Sequence, residues 1–95
     1  MNTGTKIKLR KKAISDLEKI PKNIVNKFFS WVFAVEEDGI RMTRKISSLH
    51  DEPLKGNRFG QRSVRLNRAY RVIYIELSDG EMEIIDVLEV NKHDY

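Results

Sequence analysis

The hydrophobic pattern changes period along the chain, and the changes divide it into elements. "TKIKL", residues 5–9, alternates polar and apolar positions and predicts a short strand. Helical spacing follows, with Ala13, Ile14, Leu17 and Ile20 on one face. Pro21 interrupts that helix and favours a break just before itself. A longer helix places Ile24, Val25, Phe28, Trp31, Val32 and Val35 on one side; Phe29 and Phe33 are expected to widen that apolar face. Gly39 supplies its stop. The tight connection predicts an antiparallel pair of helices. Residues 42–47 read as a short third helix running into a loop marked by Gly56 and Gly60.

From Arg62 onward the period is two. "RSVRL" predicts a strand with Val64 and Leu66 on one face. "YRVIYIEL" is apolar on much of both faces and predicts a central strand. Asp79-Gly80 is a favoured hairpin pair, and "EMEIIDVLEV" then predicts a third strand. The order strand, helix, helix, three strands implies α+β: an N-terminal strand and two-helix hairpin packed on a mainly antiparallel sheet that ends in a three-strand meander. The expectation is one domain over residues 1–95, with helices covering one sheet face and the other face partly open. Aromatic residues at helical spacing are expected to be core rather than a cofactor box.

Composition narrows the class. With 40% hydrophobic and 34% charged residues among 95, the chain reads as a soluble globular protein with one modest core. The absence of cysteine excludes disulfides and thiolate metal sites. No apolar run approaches the ~18 residues of a membrane span, and no apolar signal-peptide core follows the charged N-terminus. A cytoplasmic protein is expected.

Charge adds a polarity that the net +4 conceals. Residues 54–71 hold Lys55, Arg58, Arg62, Arg65, Arg68 and Arg71 and no acid; residues 72–95 hold seven acids against Lys92. A dense local patch of one sign is what a polyanion reads. A solvated, solubilising face is the bland alternative. The predicted strands place Arg58 and Arg62 on a loop or strand entry, Arg65 opposite Val64 and Leu66, Arg68 in a turn and Arg71 at the start of the next strand. A hairpin then brings Arg65 and Arg71 together. Like charges across a strand pair are unfavourable unless an anion lies between them, and an RNA phosphate or an acidic peptide would serve.

The chemistry available is limited. No phosphate-binding glycine loop or nucleophile elbow is present, and His50 and His93 show no metal-site spacing. Lys, Arg, His, Tyr and carboxylates remain, an inventory that suits metal-independent acid–base cleavage of RNA. Cations stabilise the phosphate while His, Tyr or a carboxylate moves protons at the 2′-hydroxyl and the 5′-oxygen. The tail "VNKHDY" places Lys92, His93, Asp94 and Tyr95 just past the last strand, where a solvated terminus is the default.

"LHDEPLKGNRFGQRSVRLNRAYRVIYI" and "VLEVNKHDY" carry a resemblance. The chain resembles the RelE/ParE superfamily of bacterial toxins from type II toxin–antitoxin systems, most closely the RelE- and HigB-like mRNA interferases. That resemblance implies an enzyme that enters the ribosomal A site and cuts mRNA there, without a cofactor, and a cognate antitoxin that wraps the toxin. It implies phosphate stabilisation by Arg71 and Arg65 and matches Lys55 to the lysine of the "PLKG" element; with Lys55, the basic patch offers Arg58, Arg62 and Arg68 as RNA contacts. His50 resembles the histidine before "PLKG" in HigB-like toxins, although Asp51 and Glu52 intervene here. Tyr95 matches the C-terminal tyrosine that stacks on a base or carries a proton. Lys92 and His93 match basic positions that would take the 2′-hydroxyl proton, with His93 as proton donor to the leaving group. The RelE and HigB alignments assign the tail different roles, and Asp94 and Tyr95 resemble the terminal "DY" of the latter. Three other readings stand beside this one: a ParE-like toxin of the same fold directed at DNA gyrase, a non-catalytic nucleic-acid-binding module, and a degenerate toxin retained as a partner of its antitoxin.

Overall fold

A computed structural model describes residues 4–78 and 80–92. Strand β1 (Thr5–Leu9) leads into helix α1 (Lys11–Leu17), then α2 (Lys22–Asp38) and the single turn α3 (Ile40–Thr43). A 3₁₀ turn at Ser47–Leu49 precedes the two-residue strand β2 (Glu52–Pro53). Strands β3 (Arg62–Arg65), β4 (Tyr70–Ser78) and β5 (Glu83–Lys92) complete the chain. They form one mixed sheet in the order β1-β5-β4-β3-β2, in which only the β1–β5 pairing is parallel. This is the α+β architecture expected. Among the described residues no helix is long and apolar enough to cross a membrane.

The core lies between one sheet face and the helices. Ile24, Phe28, Trp31 and Val35 form the buried stripe of α2 at intervals of three and four. They meet Val64, Val72, Tyr74, Ile85, Val87 and Val90 from the sheet. Trp31 and Tyr74 pack with ring centroids 5.6 Å apart and planes tilted by 45°. Phe29 and Phe33 depart from expectation: they are 49% and 64% exposed. At about 100° per residue they have rotated past the stripe that meets the sheet, so the apolar face is narrower than the sequence suggests.

The third helix also differs. It ends at Thr43 rather than reaching residue 47, because Ile40 and Thr43 turn inward and the Thr43 hydroxyl donates to the Ile40 carbonyl at 3.0 Å. Gly39 does stop α2. Its φ of 86° suits glycine, and its N–H closes on the Val35 carbonyl at 2.8 Å. Helix α1 packs mainly on β5.

One irregularity controls which residues share a face. Ile73 pairs with Glu89, but Tyr74 pairs with Val87, so Leu88 is an extra residue in β5. The bulge shifts the alternation. Val87 and Val90, three apart, both enter the core, and Glu89 and Asn91 turn to the opposite face. Asp16 of α1 secures the distortion by accepting the Val90 N–H at 3.0 Å.

Candidate functional site

The sheet face away from the helices carries two adjacent rows. Register places Arg65 opposite Arg71 and Arg71 opposite Asn91. The next row runs Glu52, Ser63, Ile73, Glu89. Strand alternation sets the β3 and β4 members, since Val64 and Val72 point into the core and Arg65 and Arg71 must point out, and the bulge at Leu88 adds Glu89 and Asn91.

The β3–β4 turn is tight. Asn67 Oδ1 accepts the backbone N–H groups of Ala69 and Tyr70, each at 2.8 Å, which mimics a backbone turn and raises Arg68 at its tip. Beside it, His50 ends the 3₁₀ turn in the left-handed region, with φ 44° and ψ 48°. It is the one described non-glycine residue with positive φ, a conformation costing on the order of 1 kcal/mol. His50, Glu52, Ser63, Arg65, Arg68 and Arg71 line one polar cleft of about 60 Å³.

The cleft has an excess of positive charge. Among the described residues Arg65 and Arg68 make no side-chain hydrogen bond or ion pair, and Arg71 donates from Nε to the neutral Asn91 Oδ1 at 3.2 Å. Three guanidiniums therefore face one carboxylate, Glu52, and one imidazole. Such a site can bind an oxyanion through Arg forks and move a proton through His or Glu.

Four of the expected residues meet there: His50, Arg65, Arg68 and Arg71. Arg62 does not. It lies on the opposite face, pairing across the strands with Tyr74. Its Nε donates to Asp51 Oδ1 at 2.7 Å, while Tyr74 donates its hydroxyl to Asp51 Oδ2 at 2.6 Å. Burial opposes the charge on Arg62, but the Asp51 carboxylate outweighs it and holds the guanidinium above its ordinary range. Burial, then the bond to Asp51, pushes the Tyr74 phenol up as well.

Arg58 is bound to Glu89 and Gln61. Lys55 is exposed at the start of the Gly56–Arg58 turn, outside the cleft lining. Lys92 ends β5 opposite Tyr70, on the face opposite Asn91. His93, Asp94 and Tyr95 lie outside the described residues. Glu52 is not among the site residues the sequence predicts. Its signal was weak: a two-residue strand before proline, visible only once it pairs with Ser63.

An apolar groove of about 580 Å³ adjoins the cleft. Trp31, Ala34, Ile46, Leu49 and Leu66 line it, and Arg65 and Arg68 form a shared rim.

Residues 7–94 match the family model of the ParE toxin of type II toxin–antitoxin systems. Solved toxins share the fold. The YoeB/ParE toxin from Agrobacterium tumefaciens is 21% identical, with a TM-score of 0.72 over 94% of this chain and 99% of that one. YafQ from E. coli is 15% identical, with a TM-score of 0.73 over 94% and 93%. The archaeal RelE in the RelE–RelB complex from Pyrococcus horikoshii is 22% identical, with a TM-score of 0.70 over 95% and 96%. No curated protein matches the chain in sequence. The chain belongs to the ParE toxin family, within the RelE/ParE superfamily of type II toxin–antitoxin systems.

Proposed function

We propose that this member of the ParE toxin family is a ribosome-dependent mRNA endoribonuclease that inhibits translation by cutting mRNA in the A site. The observation that carries the reading is the cleft itself, where three arginines converge beside two groups able to move a proton, His50 and Glu52. Arg65 and Arg71 face each other across the strands and would grip the scissile phosphate, stabilising the charge that builds as the 2′-oxygen attacks. Glu52 or His50 takes the 2′-hydroxyl proton, while His93 protonates the 5′-oxygen and Tyr95 stacks on a base. Products would be a 2′,3′-cyclic phosphate or 3′-phosphate and a 5′-hydroxyl, formed without a metal ion.

A cognate antitoxin is the expected protein partner. Solved relatives assemble with antitoxins, as in the DinJ–YafQ toxin–antitoxin complex from E. coli and the RelBE2 toxin–antitoxin complex from Mycobacterium tuberculosis. Here an antitoxin would bring acids to Arg65, Arg68 and Arg71 and an apolar helix to the adjoining groove.

Primer extension on programmed ribosomes tests the enzyme. Cuts at A-site codons, absent without ribosomes, are the expected result. Intact mRNA refutes the reading. The family match itself favours a second reading, a toxin that inhibits DNA gyrase. Under that reading mRNA stays intact and gyrase supercoiling stalls when the protein is added.

A further inference from the structure

A chain of side chains holds Arg71 from behind, and none of them takes part in the chemistry proposed above. Arg71 Nε donates to Asn91 Oδ1 at 3.2 Å. Asn91 Nδ2 donates to Glu89 Oε1 at 2.6 Å. Glu89 Oε2 accepts from Arg58 Nη2 at 3.1 Å, and Arg58 Nη1 donates to Gln61 Oε1 at 2.9 Å. The bulge at Leu88 makes this possible, because it turns Glu89 and Asn91 to the face that carries Arg71.

The direction of the chain is set by chemistry. An ionised carboxylate only accepts, so Asn91 must turn its amide nitrogen to Glu89 and its carbonyl oxygen to Arg71. Arg58 supplies the counter-charge for Glu89. A carboxylate placed directly on Arg71 would orient it equally well but would cancel its charge. The Asn91 carbonyl occupies only the Nε donor and leaves both terminal nitrogens for an incoming oxyanion.

We infer that Asn91 is a positioning residue that presents Arg71 to a phosphate oxyanion through a neutral acceptor, with Glu89 and Arg58 fixing the orientation of its amide. This rests on the reading in which Arg71 contacts a phosphodiester, and it adds the reason that Arg71 arrives oriented with its charge intact. The loop that carries Arg58 is thereby joined to the cleft.

Two measurements on Asn91→Asp test it. The Arg71 Nε–H signal is followed by NMR while inorganic phosphate is added, and mRNA cleavage on programmed ribosomes is resolved into kcat and KM. The isosteric carboxylate would face Glu89 as a second anion in place of the amide donor, so it should lower the melting temperature, and by neutralising Arg71 it should weaken the phosphate response about tenfold. It should lower kcat by about tenfold to a hundredfold, with KM for ribosomes within about twofold. A purely structural Asn91 would change stability and leave the phosphate response alone, so wild-type phosphate binding in folded Asn91→Asp overturns the inference. Glu89→Gln provides a second reading should that variant fail to fold: its amide no longer enforces the Asn91 orientation, and the phosphate response should fall about threefold. An unchanged response overturns the inference equally. A wild-type protein that cuts no mRNA would refute the proposed function, and the phosphate titration would still decide the role of Asn91.

Discussion

Arg62 and Arg71 lie on opposite faces of the same strand pair, and each donates from Nε to a side-chain oxygen. The acceptor for Arg62 is a carboxylate, Asp51, whose side chain is 1% exposed and also receives the Tyr74 hydroxyl. The acceptor for Arg71 is the neutral amide of Asn91. Similar attachment therefore produces different results. Arg62 is neutralised beside the core and ties residue 51 to β3 and β4. Arg71 keeps its charge beside Arg65 in an open cleft, where repulsion makes the empty site unfavourable and an anion welcome. The sign and charge of the acceptor, more than the arginine, separate a stabilising contact from a binding one.

The largest expected effect breaks the Arg62 side. Asp51→Ala leaves a half-buried guanidinium and a buried hydroxyl without their acceptor, and should cost about 3–5 kcal/mol in urea unfolding. A loss below about 1 kcal/mol would mean that the cluster is not an anchor. Arg71→Ala should do the reverse. Cleavage on ribosomes should fall about 10²- to 10³-fold, while stability changes by less than about 1 kcal/mol. Full toxicity in that variant would remove Arg71 from the mechanism.

Tyr74→Phe sharpens the comparison, since Asp51 keeps Arg62 and loses one donor. About 1–2 kcal/mol should be lost. Acid should act on the Arg71 side through Glu89. Burial pushes that carboxyl up, but the hydrogen bonds from Asn91 and Arg58 and the charge of Arg58 prevail and hold it below the ordinary 4.5. Its contribution is then complete above about pH 4.5 and is lost as pH falls through the lowered folded value. Unfolding curves should therefore weaken in acid, and Glu89→Gln should flatten that limb. Phe33→Ser, on the uncovered side of α2, should change stability by less than about 0.5 kcal/mol.

Much of the architecture was legible because period encodes exposure. Alternation around Val64, Leu66 and Val72 located the strand pair and the outward arginines, and helical spacing located α2 and its buried stripe. Phe29 and Phe33 misled because hydrophobicity records what a side chain favours, not what the fold has available to cover it. Arg58, Arg62, Arg65, Arg68 and Arg71 looked equivalent as a run of charge. Their roles diverged according to which acids came near, and those acids, Asp51 and Glu89, are distant in sequence.

The class of fold, the β3–β4 hairpin and the placement of Arg65 beside Arg71 could be read along the chain, because they depend on neighbours a few residues apart. Tertiary structure alone decided the rest. The parallel docking of β1 on β5, the pairing of Glu52 with Ser63, and the bulge at Leu88 that turns Glu89 and Asn91 toward Arg71 each join segments far apart in the chain. A one-residue bulge reverses the facing of every residue beyond it, and local periodicity cannot announce a register that a partner strand imposes.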